Sequence, residues 1–364
     1  MAIIFMDSFD HCNTASLLAM TRYEYVADGW GGQAVITTGR FGNGCYLKND
    51  SRIAEIRKDL PVGNSGVVGF VLKQEALSTP MFEVNRGPLL LIEGATTHLQ
   101  VGYSSNSPNI LSVYRAGTLL GTGTISFANN VWVHVELKFT IGSSGSYALR
   151  INGVQSVAAT GVNTQNGGTG SIDRVSWKAP HDTTTYRAFT MDDSVVQSGG
   201  DFLGDLRVEY LVPTGAGSRT QFTPSTGSNW QTVDEVPAVD TDYNSSNSPG
   251  AMDLFAMANL PGNGLVHGVQ TVLRYKKDDA GFRTVQPVLY RADVDDGGLP
   301  PPSTTPRWYR GTKVPVYDTF AGSTELLVTS PLSGLSWTKD EINALQFGYA
   351  VGDAAMFTID AKLV

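Results

Sequence analysis

The sequence predicts an all-β protein that consists of two β domains in succession. Three observations lead to this prediction: apolar and polar residues alternate in short stretches, turn-forming residues separate these stretches, and 364 residues exceed one average domain. Glycine occurs 40 times and proline 17 times, while charged residues make up only 16% of the chain. Many short strands with frequent turns are typical of sandwiches and barrels.

The clearest strand signal covers residues 131–140, where apolar and polar side chains alternate without interruption. The odd-numbered residues are predicted to face a core, and the even-numbered ones, among them His134 and Glu136, to face solvent. His134 is therefore expected to be an ordinary surface side chain. A Gly/Ser turn, a strand at 147–151, the hairpin signal Asn152-Gly153 and a strand at 154–157 complete a predicted antiparallel meander.

Similar short patterns recur on both sides of this meander, and helix signals are few. Thr338 is predicted to cap a short helix, with Glu341 completing a capping box and with Ile342 and Leu345 on one face. Residues 14–23 are a second candidate for a short helix. The other candidate strands are 67–72, 81–84, 89–93, 99–103, 110–115, 175–177, 206–211, 265–275, 284–290, 312–317, 324–329, 346–351 and 356–364.

A polar, glycine-containing stretch at 197–204 separates the two β patterns, as a linker would. The predicted organisation is a first domain over 1–198, a linker over 199–204 and, over 205–364, a second domain that is a β-sandwich with one short helix. Two long polar loops are expected in the second domain, at about 213–250 and at about 292–306. Loops of this length in compact domains are usually functional, interfacial or mobile.

The charge and the apolar pattern exclude two classes of partner. A net charge of −8 without a Lys/Arg cluster argues against nucleic acid, and no apolar run approaches the length that inserts into a membrane. The first residues lack the basic start and the apolar region of a signal peptide, so folding in a reducing cytosol is expected. Cys12 and Cys45 are either bridged or two buried free thiols, and their spacing leaves both alternatives open.

Motifs for catalysis and for cofactors are missing from the sequence, so we expect neither an enzyme nor a resident cofactor. Asp192-Asp193 is the candidate metal site, because paired carboxylates with loop carbonyls suit calcium; the alternative is a turn or an ordered strand end. Asp240 and Asp242 have the spacing of a catalytic carboxylate pair but lie in a polar loop.

Aromatic residues supply the candidate ligand or interface positions. Trp230 lies in the first long loop, and Trp308-Tyr309 follows the second one, which contains three consecutive prolines. Tyr23, Tyr25 and Trp30 form an earlier cluster. Exposed aromatic rings stack on sugar rings and anchor interfaces, whereas packing in a core is the alternative for each of them.

The predicted meander resembles the late meander of laminin-G-like and concanavalin A-like jelly rolls, in which tryptophan, an alternating strand, a turn, a short strand and Asn-Gly follow one another. Met191-Asp192-Asp193 resembles the strand that closes this fold, and Phe5–Asp10 resembles its first strand. The resemblance covers roughly residues 1–198 and implies a jelly-roll sandwich there. It implies no particular function, because a fold does not determine one.

The segment 201–208, Asp-Phe-Leu-Gly-Asp-Leu-Arg-Val, together with 233–235 and 276–281, resembles structural proteins of tailed bacteriophages, in which a laminin-G-like domain precedes a second β domain. The resemblance implies a non-catalytic tail fibre, tail tip or capsid decoration protein. Such a protein is assembled in the bacterial cytoplasm and displayed on the virion surface. The implied partners are other virion proteins, further copies of this chain and host-surface glycans.

Two alternatives to a phage structural protein remain open from the sequence. One is a lectin-like module that holds a sugar through its aromatic residues or through calcium at Asp192. The other is a glycan hydrolase on a jelly-roll scaffold.

Overall fold

The computed structural model describes residues 2–13, 23, 25–26, 32–49, 54–75, 87–104, 107–179, 187–291 and 308–352. The chain forms two compact units, Met1–Tyr210 and Leu211–Val364. The division falls a few residues after the linker predicted at 199–204, because residues 201–208 bond to the first unit. The candidate strands 81–84 and 356–364, the loop 292–306, Trp30, the Tyr25 side chain and nearly all of the candidate helix 14–23 lie outside what is described.

The first unit consists of antiparallel strands, as the alternating sequence pattern predicts. In chain order these strands are β1 Ala2–Asp7, β2 Tyr25–Val26, β3 Gly32–Thr38, β4 Asn43–Asn49, β5 Glu55–Gly63, β6 Ser65–Gln74, β7 Leu89–Glu93, β8 Thr96–Ser104, β9 Ser107–Arg115, β10 Thr118–Gly121, β11 Trp132–Thr140, β12 Gly145–Ile151, β13 Val154–Val162, β14 Ile172–Lys178 and β15 Arg187–Ser198.

These strands form two sheets that share one core. Sheet 1 has the order β13-β12-β11-β6-β15-β4-β3, with β1 also paired to β15, and sheet 2 has the order β10-β9-β8-β7-β14-β5-β2. Alternate residues of both sheets are fully buried in one apolar cluster, for example Phe70 and Val135 from sheet 1 and Leu91 and Trp177 from sheet 2. The unit is therefore a sandwich of the predicted jelly-roll class, and the all-β prediction is confirmed.

The predicted meander is present as β11, β12 and β13. Val133, Val135 and Leu137 face the core, in agreement with the alternating pattern. Asn152 and Gly153 form the turn between β12 and β13 with φ of 50° and 77°. Positive φ at both central residues is what a tight hairpin of this twist requires, and Asn-Gly is the pair that adopts it most readily.

The second unit is also built of antiparallel strands, together with two short helices. They are β16 Pro213–Thr220, β17 Thr223–Pro224, β18 Asn244–Ser245, β19 Met252–Met257, β20 Val269–Tyr275, β21 Thr284–Arg291, β22 Trp308–Arg310, β23 Val314–Pro315, β24 Ala321–Leu327, β25 Leu345–Val351, a 3-10 helix Asn229–Thr232 and an α-helix, α1, Lys339–Asn343. Sheet 3 has the order β16-β19-β25-β21-β22 with β23 paired to β21, and β17-β18 and β20-β24 are two-stranded ribbons.

Helix α1 begins where its sequence predicts. The Thr338 hydroxyl accepts a hydrogen bond from the Glu341 N–H at 3.1 Å, and Ile342 and Leu345 are buried in one apolar cluster. The Glu341 carboxylate accepts from the Ser330 hydroxyl at 2.6 Å instead of closing the capping box. No helix in the described part of the chain is long and apolar enough to cross a membrane.

Two predictions for the second half differ from the structure. Residues 206–211 form no strand: the Val208 N–H is donated to the Asp193 carboxylate and the Leu206 carbonyl accepts from the Arg40 guanidinium, so these groups do not pair with a neighbouring strand. The region 213–250 is not a continuous loop: it contains β16, the ribbon β17-β18 and the 3-10 helix. Its Gly, Ser and Asn content hid these short elements, since such residues are typical of loops.

Candidate functional site

The candidate functional site is the edge of sheet 3 formed by β21 and β22. Trp308 is paired with Tyr290 across these strands, and their ring centroids are 4.2 Å apart with a tilt of 35°. Trp308 is 38% exposed, so part of the residue is open to solvent. β22 is the last strand of the sheet in the described part of the chain. We define Tyr290, Trp308 and Arg310 as the aromatic edge.

Strand alternation places Arg310 beside Trp308, because residues i and i+2 share a face. Arg310 is exposed and lies opposite Val288, which is fully buried. Among the described residues it forms no ion pair. Tyr290 packs against a small apolar cluster on the same face of sheet 3, so one side of the ring pair is anchored in a packed region. The aromatic edge therefore combines a supported, partly exposed indole with an available guanidinium.

The structure separates Tyr309 from Trp308, although the two are adjacent in sequence. Tyr309 faces the opposite side of sheet 3, packs against the apolar cluster that contains Leu289, and donates its hydroxyl to the Glu325 carboxylate at 3.1 Å. Burial, with the Glu325 charge as the next cause, raises the pKa of Tyr309 to about 12. Core packing, the alternative weighed from the sequence, describes Tyr309, and its ring is not available as a stacking surface.

Trp230 lies in the 3-10 helix and is half-buried. Asn229 beside it donates to the Asp253 carboxylate at 2.6 Å, which ties this turn to β19. Within the described residues no ring contact joins Trp230 to Trp308. The three aromatic candidates thus lie in three different environments, and only Trp308 combines exposure with a stacked partner ring.

The candidate metal pair, Asp192 and Asp193, lies at a β-bulge in β15, where the register with β6 shifts between Asp192 and Val195. Asp193 has a φ of 47°, which is unusual for a residue with a side chain. Asp192 is fully buried, and its Oδ2 accepts from the backbone N–H of Arg40 at 2.7 Å and of Phe41 at 3.3 Å. Burial, and then the charge of Asp193, raises the pKa of Asp192 to about 7.

Asp193 is held by a cation of the protein itself. Its carboxylate lies 3.0 Å from the Arg40 guanidinium and accepts from the Val208 N–H at 2.8 Å. Arg40 also pairs with Asp205 at 2.7 Å and donates to the Leu206 carbonyl at 3.2 Å. No three His, Cys, Asp or Glu side chains among the described residues are grouped so that they could hold a metal ion. Calcium at this pair stays a prediction.

The predicted surface position of His134 is wrong. His134 is 4% and Glu136 is 1% exposed, although both lie on the outer face of sheet 1. The covering segment, residues 201–208, crosses this face: the Glu136 Oε1 accepts from the backbone N–H of Leu203 at 3.0 Å and of Gly204 at 2.9 Å. The alternation of β11 is as predicted, but the face opposite the core is covered by a distant part of the chain.

The covering segment is bound along its whole length. Phe202 lies over the Arg150 guanidinium at 3.8 Å, and Asp201 pairs with Lys138 at 3.0 Å. His134 Nδ1 and Glu136 Oε2 face a small cavity beneath the segment and have no hydrogen-bond partner; they are 3.9 Å apart. Burial lowers the pKa of His134 below its usual 6.5. The contacts of Glu136 Oε1, Arg150 and Lys138 attach residues 201–208 to sheet 1.

The other residues considered from the sequence are also bound within the protein. Asp240 forms a two-point pair with Arg274 at 2.6 and 2.8 Å, which lowers the pKa of Asp240, and Asp242 accepts from Ser225 at 2.9 Å. Cys12 and Cys45 are buried free thiols, and burial raises the pKa of Cys45. The bridged alternative does not occur.

Sequence reasoning did not identify Tyr290, Arg310 or Arg40. The spacing Trp-x-Arg on a strand could have indicated Arg310, since it places both residues on one face. Tyr290 becomes the neighbour of Trp308 only through the register of β21 and β22. Arg40 lies 152 residues before Asp192, and no local pattern relates them.

No protein-family model matches the chain, and no curated protein matches its sequence. Similar solved structures include an endo-β-1,4-glucuronan lyase from the fungus Trichoderma reesei, with 13% identity, a TM-score of 0.39 and coverage of 53% of this chain and 94% of that one. A carbohydrate esterase of the Shiga toxin-encoding bacteriophage phi24B has 13% identity, a TM-score of 0.39 and coverage of 55% and 99%.

Domain 4 of AbnA, an extracellular arabinanase from Geobacillus stearothermophilus, was solved with arabinotriose; it has 16% identity, a TM-score of 0.39 and coverage of 54% of this chain and 93% of that one. Likeness at this level carries no argument about the function of this chain. Its fold class follows from its own strands and sheets.

Proposed function

We propose that this chain is a non-catalytic structural component of a tailed-phage particle, and that the aromatic edge of its second unit contacts a glycan on the host surface. The observation that carries the glycan contact is the partly exposed indole of Trp308, stacked on Tyr290 at the last described strand of sheet 3. The C–H face of a pyranose ring is apolar and flat, so it can cover such a ring and remove apolar surface from water.

A non-catalytic role is supported by three carboxylates of the described residues, which are bound to other groups of the protein. Asp193 pairs with Arg40, Asp240 pairs with Arg274, and Glu136 accepts two backbone N–H groups. A glycosidase needs one carboxylic acid and one carboxylate that flank a substrate bond. The virion role is supported by the resemblance of 201–208, whose residues fasten this segment to the first unit.

The glycan contact is tested on an array of bacterial surface polysaccharides with the whole chain and its variants. We expect Trp308→Ala to lower binding by about five- to thirtyfold, because one stacked sugar contributes about 1–2 kcal/mol. Tyr317→Ala is the matched control, since Tyr317 is a 56% exposed ring of the same unit outside the aromatic edge. Equal binding by wild type and Trp308→Ala, or no binding at all, would overturn the proposed contact.

Two further measurements test the rest of the proposal. Repeating the array with a chelator separates an aromatic contact, which survives, from a calcium-dependent lectin at Asp192 and Asp193, which does not. Release of reducing sugar from the same polysaccharides would contradict a non-catalytic role. Mass spectrometry of the purified phage particles that carry this gene should detect the chain. Its absence from these particles, together with a strictly monomeric state in solution, would contradict the virion role.

A further inference from the structure

The Arg310 side chain is the one polar feature of the aromatic edge that the stacking of a neutral sugar does not require. It is exposed, it shares a face with Trp308, and among the described residues no carboxylate neutralises it. Of the four other described arginines of the second unit, three have acidic partners and Arg219 does not: Arg274 binds Asp240, Arg283 binds Asp279, and Arg291 lies 3.6 Å from Glu341. Among these described arginines, Arg310 is distinguished by the ring that lies beside it.

We infer that the aromatic edge selects a pyranose that carries a carboxylate, such as a uronic or sialic acid residue of an acidic polysaccharide. This inference rests on the proposed glycan contact and names its ligand class. Guanidinium binds carboxylate through two parallel, charge-assisted hydrogen bonds, which a neutral hydroxymethyl group cannot form. Arg310 thus supplies specificity, and Trp308 supplies the apolar contact that any pyranose can make.

The spacing of the two side chains fits such a residue. On a strand, residues i and i+2 are about 7 Å apart. A sugar that covers the Trp308 ring therefore places an exocyclic carboxylate at its rim within reach of the Arg310 side chain. Tyr290 contacts the Trp308 ring across the two strands and supports it.

The net charge of the chain, −8, does not prevent this interaction. Repulsion between exposed charges is largely screened beyond about 8 Å at physiological ionic strength. The acidic side chains Asp240 and Asp279 are already paired with arginines. A contact between Arg310 and a carboxylate is local, and it should weaken as salt is added, in contrast to the stacking on Trp308.

The test uses acidic bacterial polysaccharides, each before and after chemical reduction of its carboxyl groups to neutral hydroxymethyl groups. The chain of sugar rings stays the same, so the comparison isolates the charge. For wild type we expect reduction to weaken binding by roughly ten- to a hundredfold. Arg310→Gln should lose affinity for the acidic form to a similar extent and should bind the reduced form as well as wild type does.

Arg310→Lys is the control for charge alone, because lysine keeps the cation and loses the planar fork; we expect intermediate affinity. If wild type binds both forms equally, or if Arg310→Gln binds the acidic form as tightly as wild type, the inference is wrong while the glycan contact stands. If neither form binds to wild type, the proposed glycan contact itself fails. Separate arms with polyuronates and polysialic acid distinguish the two sources of the carboxylate.

Discussion

The outer face of sheet 1 and the edge of sheet 3 both carry side chains of the kinds found in functional sites. On sheet 1 these side chains are buried, whereas at the edge of sheet 3 they are exposed. On sheet 1, His134, Glu136 and Asp193 are buried beneath residues 201–208, and the Glu136 and Asp193 carboxylates accept backbone N–H groups of that segment. On sheet 3, Trp308 and Arg310 are directed to solvent. The comparison teaches that the carboxylates of this sheet face hold a segment of their own unit, whereas the aromatic edge leaves an indole and a guanidinium exposed.

The largest effect at a single pH that could break this comparison is expected from Arg40→Ala. The substitution leaves Asp193 buried without its cation, so the free energy of unfolding of the first unit should fall by about 3 kcal/mol. Urea denaturation followed by the fluorescence of the buried Trp177 measures it. Arg40→Lys keeps the positive charge, so its free energy of unfolding should fall by less than that of Arg40→Ala. A loss below 1 kcal/mol for Arg40→Ala would mean that the ion pair is not structural.

Glu136→Ala is expected to cost about 2 kcal/mol, because two buried backbone N–H groups lose their acceptor. Amide exchange at Leu203 and Gly204 should accelerate together, since both donate to the same oxygen. Glu136→Gln retains an acceptor oxygen and should behave nearly as wild type. Unchanged exchange at both amides in Glu136→Ala would show that the covering segment is held by its other contacts.

Asp192→Asn should change how stability depends on pH. Because the pKa of Asp192 is raised to about 7 in the folded chain, the folded form binds a proton more readily than the unfolded form. Its contribution to stability is complete below about pH 4 and is lost as the pH rises through about 7. The variant lacks this titration. Between about pH 4 and 7, the free energy of unfolding of the variant should therefore rise relative to that of wild type by up to about 1.4 kcal/mol per pH unit.

Urea denaturation of both proteins at pH 4, 5.5, 7 and 8 checks this prediction. A constant difference between wild type and Asp192→Asn at all four values would contradict the raised pKa. His134 affects the pH dependence of stability in the opposite direction, because its lowered pKa reduces stability as the pH falls. It is present in both proteins, so its effect cancels in the comparison. The difference between the two therefore reports on Asp192.

Gly204→Ala should cost about 1 kcal/mol. Gly204 has a φ of 82°, and a Cβ there would meet no atom within 4 Å, so the cost comes from the backbone conformation alone. Gly264→Ala is the matched control: a Cβ there also meets open space, but its φ lies outside the left-handed region. Equal stability of the two variants would show that the covering segment does not impose this conformation.

The smallest effect on stability is expected from Trp308→Ala, about 0.5 kcal/mol, because the ring is partly exposed and loses mainly its contact with Tyr290. Thermal unfolding of wild type and variant measures the difference. Together with loss of glycan binding, a small change would sharpen the contrast between a structural sheet face and a ligand-binding sheet edge. A loss above 2 kcal/mol would place Trp308 in the core of the second unit instead.

The elements of the first unit could be predicted well from the sequence, because alternation and turn chemistry are local signals. Val133, Val135 and Leu137 are buried as expected, and Asn152-Gly153 forms the expected turn. The environment of His134 could not be predicted. Alternation separates the two faces of a strand, but it does not show that residues 201–208 return to cover the outer face.

For the candidate site, the sequence indicates which residue types could bind a ligand, but it does not show which residues lie next to them in the fold. Trp308 and Tyr309 were equal candidates, and only their placement on opposite faces of β22 separates them. The partner ring, Tyr290, depends on strand register across a connection of 16 residues. Register is decided by packing of whole strands, and no short motif encodes it.

The pairing of β15 has a consequence for how the first unit folds during synthesis. β15 lies between β6 and β4 and also pairs with β1, so that Ala2 is opposite Ser198. Translation adds about 5–20 residues per second, so roughly 10–40 s separate the synthesis of β1 from that of β15. Throughout this interval β1 lacks its partner, and β6 lacks one neighbour from its own synthesis until that of β15, so pairing with another nascent chain competes with folding. The sandwich therefore cannot be completed before β15 has been synthesised, so the rate of translation limits the rate at which it forms.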